Sequence, residues 1–90
     1  MHYVYILQSQ KYNFLYTGYT NNIKSRIIHH DKGFVSATRF RRPLKLIFYE
    51  AYVTKSDAIR REHYFKTAKG KAALKIMLKD YFLEYRDARV

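Results

Sequence analysis

The chain has 90 residues, of which 18 are lysine or arginine and 7 are aspartate or glutamate, so its net charge is +11. It contains no cysteine, which excludes disulfides and thiolate metal sites, and its apolar runs fall short of the roughly 18–20 residues that span a bilayer. We therefore expect one soluble, cytoplasmic domain over residues 1–90 with no membrane partner. The charge favours a polyanionic partner, most often nucleic acid.

The first 20 residues predict a β-hairpin. Residues 2–8 alternate aromatic and aliphatic side chains and are apolar on both faces, which predicts a strand covered on both sides of its sheet. Residues 9–13 are polar and predict a loop, and residues 14–20 predict the second strand. If the hairpin is symmetric about the loop positions 10 and 11, Tyr5 lies directly opposite Tyr16 and the two phenols stand side by side.

A short helix is predicted after this hairpin. Asn21 or Asn22 is a suitable N-cap. Ile23 and Ile27, four residues apart, indicate the buried stripe of the helix, which is expected to end near residues 31–33 with Gly33 as its C-cap.

The remainder of the chain predicts one more strand and two more helices. Residues 34–43 form an irregular basic segment, and residues 44–53 alternate as a third strand does. A second helix runs to about residue 69, and Gly70 breaks it from a third helix over residues 71–85. The predicted order is β-β-α-β-α-α.

Two residues of the first helix could carry chemistry. Arg26 and His30 lie four residues apart, on a stripe of the helix next to the apolar one. A lone helical arginine is usually a solvated charge, and a lone histidine is usually structural. As a pair beside the Gly18 turn they form a small cationic patch, in which arginine can contact phosphate and histidine can move a proton near neutral pH.

Glu62 lies within the apolar stripe of the second helix. A carboxylate that faces the core needs a cation or a metal, and one carboxylate with water and phosphate oxygens is a usual Mg²⁺ arrangement. The alternative is a salt bridge on the helix surface with Arg60, Arg61 or Lys66. No pair of histidines has the spacing of a zinc peptidase, so zinc is not predicted.

Several short motifs occur in a set order. "YVY" at residues 3–5 and "YTG" at residues 16–18 are followed by Arg26, His30 and Glu62. In this order and spacing they resemble the GIY-YIG nuclease superfamily, and more closely its small standalone bacterial proteins, which are similar to the nuclease module at the start of the excinuclease C subunit. The stretches "ATRFRRP" and "AIRREHYFK" belong to the same resemblance.

The chain departs from the family pattern at a few positions. Tyr3 and Val4 replace the Gly-Ile of the first motif, and Thr17 replaces the Ile of the second. These changes concern sheet packing, since both motif tyrosines remain. Many relatives carry an asparagine soon after the metal glutamate, whereas this chain has none beyond Asn22.

The resemblance implies an α+β fold, with a three-stranded antiparallel sheet flanked by helices, and metal-dependent cleavage of phosphodiester bonds. It implies that Tyr5 or Tyr16 is the general base that activates water, and it leaves open which one. Arg26 would stabilise the charge that develops on phosphorus, and His30 would assist proton movement. Glu62 would hold a single Mg²⁺ or Mn²⁺ ion against the scissile phosphate.

A further set of basic side chains could contact backbone phosphates, which gives affinity without sequence information. These are Arg39, Arg41, Arg42, Lys66, Lys69 and Lys71. Phe40, within the basic segment, could stack on an exposed base. The alternative for all of them is general surface charge.

Three hypotheses for function follow. The first is a Mg²⁺-dependent endonuclease that cuts DNA, including branched or damaged DNA, with little sequence specificity, in a repair or recombination role suggested by the family. The second is a catalytically weak or inactive nucleic-acid-binding module of the same fold. The third is an RNA- or ribosome-associated protein.

Overall fold

The computed structural model describes the backbone of residues 1–89 and the side chains of residues 1–85, so the last residue of the predicted domain lies outside the described residues. Three strands and four α-helices occur in this part of the chain. They are β1 (His2–Ser9), β2 (Leu15–Thr20), α1 (Ile23–Asp31), β3 (Leu44–Tyr52), α2 (Lys55–Phe65), α3 (Ala68–Met77) and α4 (Lys79–Arg89), with a short 3-10 helix at Arg39–Arg41. No helix among the described residues is long and apolar enough to cross a membrane.

The three strands form one antiparallel sheet in the order β2-β1-β3, which confirms the predicted sheet. β1 is the central strand, and its residues from Val4 to Ser9 are buried. This burial is the reason for its apolar character on both faces, since a central strand with helices on both sides exposes neither face to water.

The predicted register of the hairpin is wrong by two residues. Tyr5 pairs with Gly18, and Tyr16 pairs with Leu7. The Ser9 hydroxyl accepts hydrogen bonds from the backbone N–H groups of Lys11 (3.1 Å) and Tyr12 (2.9 Å), which moves the centre of the turn toward the second strand. A shift of two residues keeps every side chain on its face, so the two phenol rings remain neighbours, with centroids 6.2 Å apart.

The apolar core lies on the face of β1 that carries Val4 and Ile6. These side chains pack against Ala58 and Phe65 of α2 and against Leu74 of α3. Helix α1 packs on the opposite face, the face that carries the hairpin tyrosines, because His30 contacts both tyrosine rings. The sheet therefore separates an apolar core from a second interior that is lined with polar groups.

Helix α1 begins at the predicted cap, Asn22, and its C-cap is Lys32, one residue before the predicted Gly33. The side chain of Asn22 accepts a hydrogen bond from the Ser25 N–H at 3.1 Å, and Gly33 follows the helix with a φ of 79°, a conformation that favours glycine. The predicted stripe is only half-buried at Ile23 and Ile27. The buried residue of α1 is His30, because the segment after the helix covers it.

The predicted helix break at Gly70 is wrong. Helix α2 ends at Phe65, and Thr67 caps α3 by accepting a hydrogen bond from the Gly70 N–H at 3.0 Å. Gly70 lies inside α3, where a Cβ atom would overlap the Tyr64 carbonyl group. The predicted third helix is also divided, because α3 ends at Met77 and α4 begins at Lys79. The order is therefore β-β-α-β-α-α-α.

Candidate active site

Tyr5 lies at the centre of a buried hydrogen-bond network. Its side chain is fully buried, and its hydroxyl oxygen lies 2.8 Å from His30 Nε2 and 3.3 Å from Arg26 Nε. Because the guanidinium N–H can only donate, the phenol oxygen accepts from Arg26. We assign the phenol proton to the bond with His30 Nε2, which gives this buried hydroxyl an acceptor as well as a donor.

This arrangement determines the form of His30. With Nε2 accepting from Tyr5, the ring proton of a neutral imidazole lies on Nδ1, where Thr38 Oγ1 is 2.7 Å away. Burial, followed by repulsion from the charges of Arg26 and His29, lowers the pKa of His30 to about 4. The expectation that Arg26 and His30 form a cationic pair is therefore corrected. Near neutral pH Arg26 is charged, whereas His30 is neutral and hydrogen-bonded to Tyr5 and Thr38.

Tyr5 is also neutral near pH 7. Burial raises the pKa of Tyr5 to about 12, against the opposing effect of its hydrogen bond with Arg26. In turn, the hydrogen bond with Tyr5 raises the pKa of Arg26, and the Tyr16 hydroxyl adds to that effect. The Arg26 guanidinium is thus always charged and lies next to the hydroxyl groups of Tyr5 and Tyr16.

Tyr16 differs from Tyr5 in its access to water. Its side chain is half-buried, and its ring centroid lies 5.2 Å from that of His30. Tyr5 is enclosed more tightly, because Gly18 lies opposite it in the sheet and a Cβ atom there would overlap the phenol. This close approach explains the glycine of "YTG". Of the two phenols, Tyr16 is the one that a solvent molecule can reach.

Glu62 lies on α2 with its side chain only 15% exposed. Its carboxylate is 3.2 Å from Lys66 Nζ and 4.0 Å from His63 Nε2. The other two cations considered as partners bind elsewhere: Arg60 pairs with Asp57, and Arg61 pairs with Glu50. The charge of Glu62 raises the pKa of Tyr5, although less than burial does, so the carboxylate and the tyrosine network influence each other electrostatically.

A divalent ion with few protein ligands fits Glu62. Among the side chains of residues 1–85, no group of three or more histidine, aspartate or glutamate side chains is placed to hold a metal. A site in which the protein supplies every ligand is therefore not formed there. Mg²⁺ commonly binds one or two carboxylates and completes its shell with water and substrate phosphate oxygens, and the largely shielded carboxylate of Glu62 suits that role.

The basic residues predicted to contact nucleic acid are all exposed, but several have intramolecular partners. Arg42 donates to the carbonyl oxygens of Arg39 (2.8 Å) and Asp31 (3.3 Å). Lys66 pairs with Glu62. The remaining predicted contacts, Arg39, Arg41, Lys69 and Lys71, lie in the 3-10 helix and in the first turn of α3.

Sequence reasoning missed Thr38. It is fully buried and hydrogen-bonded to His30, yet it lies in an irregular segment, where no periodicity indicates which side chains face inward. The resemblance included it only as part of "ATRFRRP". A polar loop residue that completes a histidine network becomes visible only from the fold.

The chain is thus a small α+β domain with a tyrosine, arginine and histidine network on one face of its sheet. The family model described as the GIY-YIG catalytic domain matches residues 1–75. The chain therefore belongs to the GIY-YIG family, whose members are generally endonucleases that act on nucleic acids and typically use a divalent metal ion.

Relatives within this family are small UPF0213 proteins. The chain is 44% identical over 77 residues to a UPF0213 protein of Staphylococcus haemolyticus, covering 84% of this chain and 93% of that protein. It is 40% identical over 67 residues to one of Bacillus pumilus, covering 73% and 67% respectively. The solution NMR structure of a UPF0213 protein from Bacillus halodurans is similar in fold, with a TM-score of 0.53 and 36% identity over 87% of this chain and 84% of that one.

Proposed function

We propose that the chain is a metal-dependent endonuclease that hydrolyses phosphodiester bonds in DNA with little sequence specificity, in repair or recombination. The observation that supports this most is the network in which one arginine and one neutral histidine share the Tyr5 hydroxyl, next to the half-buried phenol of Tyr16. A buried network of this kind holds a cation in one position.

Tyr16 is the general base in this proposal. It is the half-buried phenol, and a base must come within hydrogen-bond distance of the water that it activates. Tyr5 has no such access, because it is fully buried. Tyr5 and His30 therefore act as positioning residues: they hold Arg26 and are not expected to touch the substrate.

Arg26 binds the phosphate in this proposal. Its Nε donates to Tyr5, which fixes the plane of the guanidinium, and its terminal nitrogens would meet phosphate oxygens beside the Tyr16 hydroxyl, with which Arg26 also interacts. Charge that develops on those oxygens in the transition state is then met by a cation already in place. Such preorganised donors typically contribute about 10²–10³-fold to the rate of an enzyme.

Glu62 would hold one Mg²⁺ or Mn²⁺ ion. A bound divalent ion supplies Lewis-acid polarisation of a phosphoryl oxygen and compensates charge on the leaving oxygen. For Glu62 to serve in this way, its ion pair with Lys66 must give way to the metal.

Cleavage assays with purified protein test this function. Supercoiled, linear and branched DNA, and RNA of matching sequence, would be incubated with Mg²⁺, Mn²⁺ or EDTA. We expect metal-dependent cleavage of DNA that falls at least about 100-fold in Glu62→Ala, Arg26→Ala and Tyr16→Phe. Glu84→Ala, which removes an exposed glutamate of α4, is the matched control and should retain activity.

Two outcomes would contradict the assignment. Cleavage that persists in EDTA, or in both Glu62→Ala and Arg26→Ala, would show that the proposed residues do not catalyse it. Cleavage confined to RNA would move the substrate to the third class considered above.

The Lys66 ion pair supports a second candidate, a catalytically weak or inactive nucleic-acid-binding module. With Nζ at 3.2 Å, Lys66 already neutralises the carboxylate, and the chain lacks the asparagine that many relatives carry after this position. The same assays separate the two candidates. DNA binding that weakens with salt, without cleavage under any metal condition, would favour the binding module.

A further inference from the structure

A cavity outside the tyrosine network opens between the β1–β2 loop and the segment before β3. It has a volume of about 420 Å³ and is lined by Tyr12, Ser36, Ala37, Phe40 and Arg41. This volume lies within the range of about 300–1,000 Å³ that is usual for small-ligand sites. Two aromatic rings and one guanidinium thus face the same space.

The aromatic rings of this cavity are unusually accessible. Phe40 is 74% exposed and Tyr12 is 42% exposed. Cations lie over both rings: the Arg39 guanidinium is 4.7 Å from the Phe40 centroid, and that of Arg41 is 5.5 Å from the Tyr12 centroid. Sites that stack nucleic-acid bases typically combine exposed aromatic rings with positively charged side chains, as this cavity does.

Ser9 fixes the two walls of the cavity relative to each other. It is fully buried, and its hydroxyl donates to the Arg41 carbonyl oxygen at 2.6 Å while accepting from the Tyr12 N–H at 2.9 Å. The Gln10 N–H also donates to the Pro43 carbonyl oxygen at 2.8 Å. The cavity is therefore built before any ligand arrives, which lowers the entropic cost of binding.

The same segment is joined to the candidate active site. Thr38 lies between the cavity residues Ala37 and Phe40, and its hydroxyl contacts His30, which in turn contacts Tyr5. Both hydrogen bonds are buried. A base in the cavity and a phosphate at the tyrosine network would therefore be held by one connected unit.

We propose that this cavity binds an unpaired base of DNA, so that the preferred substrate contains single-stranded nucleotides, as flaps, gaps and branches do. The inference rests on the proposed function in taking DNA as the substrate. A planar base can stack on Phe40, while the Arg41 guanidinium can bind its edge or the adjoining phosphate. Bases inside a duplex are already stacked and cannot enter.

Binding in EDTA tests the inference without any need for cleavage. Fluorescence anisotropy would compare a labelled single-stranded DNA with a blunt duplex containing the same sequence. We expect Phe40→Ala to weaken single-strand binding about tenfold and to leave duplex binding unchanged. Phe34→Ala is the matched control, because Phe34 is 71% exposed, lies on the same segment and is not among the residues that line the cavity.

The substitution Phe40→Trp provides a second test that does not depend on the anisotropy measurement. The chain contains no tryptophan, so Phe40→Trp introduces a single reporter whose fluorescence should be quenched by the single strand and not by the duplex. Absence of quenching, or equal single-strand affinity in Phe40→Ala and Phe34→Ala, would overturn the inference. Tighter, Phe40-dependent binding of RNA of the same sequence would overturn the assignment to DNA.

Failure of the inference differs from failure of the proposed function. If wild-type protein cuts DNA but Phe40 is irrelevant to single-strand binding, only the base site is wrong. If Phe40→Ala loses single-strand binding while no metal condition supports cleavage, the base site stands and the enzyme assignment is wrong.

Discussion

His30 shows how a single buried residue couples this fold to pH. Its pKa is about 4 in the native state, against about 6.5 in an unfolded chain, because burial and the Arg26 charge disfavour the imidazolium. Between these values the unfolded chain binds a proton that the native chain does not. Its contribution to stability is therefore complete above about pH 7 and is lost as pH falls toward 4.

We expect the free energy of unfolding to fall by about 3 kcal/mol between pH 7 and pH 4 on account of this residue. Urea unfolding at a series of pH values would measure it. His63→Gln, which changes an exposed histidine of α2, should keep the full dependence, and His30→Gln should reduce it. A wild-type stability that is flat across this range would show that His30 is not held neutral.

At the scale of elements, the junction of α2 and α3 depends on one glycine. Gly70 allows the first turn of α3 to lie directly against the Tyr64 carbonyl at the end of α2. We expect Gly70→Ala to destabilise the protein by about 2–3 kcal/mol, because the added methyl group overlaps backbone that cannot move without displacing the helix. Denaturant unfolding would measure the loss. Lys71→Ala, at the adjacent exposed position, should change stability by less than about 0.5 kcal/mol, and equal effects of the two substitutions would contradict this packing.

The same junction shows which elements the sequence could predict. Alternation in β1 and the cap at Asn22 predicted the sheet and α1, because both are local signals that tertiary contacts did not override. Gly33 and Gly70 look alike in sequence, yet one adopts a positive φ and the other permits a close approach of two helices. The role of Gly33 is a local C-cap signal, whereas the role of Gly70 depends on how α3 packs against the end of α2, and that is where the prediction failed.

The sequence likewise predicted part of the candidate site and missed the contacts that depend on the fold. The motif order identified Arg26 and His30, and helical spacing placed them on one side of α1. Spacing could not indicate that Thr38 covers His30, since that contact joins a helix to an irregular segment, nor that burial and the charge of Arg26 lower the pKa of His30. The hairpin register likewise depended on the side chain of Ser9 and not on the strand pattern.

At the scale of the whole molecule, the basic side chains that give the net charge of +11 differ in how freely they can contact a ligand. Arg60 lies in an ion pair with Asp57, at 3.1 Å. Arg39 lies over the exposed ring of Phe40, which is one of the residues that line the cavity. A cation that has no carboxylate partner releases more counterions from DNA when it meets a phosphate than one that is already paired, so position should matter beyond net charge.

This difference predicts the salt dependence of DNA binding. For a blunt duplex in EDTA, we expect the logarithm of the binding constant to fall linearly with the logarithm of salt concentration, and Arg39→Ala to reduce the slope by about 1. Arg60→Ala removes the same charge and should leave the slope nearly unchanged, because Arg60 is compensated by Asp57. Anisotropy titrations between roughly 50 and 200 mM salt would measure both slopes. Equal slopes in the two variants would mean that the basic surface acts only through its total charge, and a binding constant insensitive to salt would remove phosphate contact as the source of affinity.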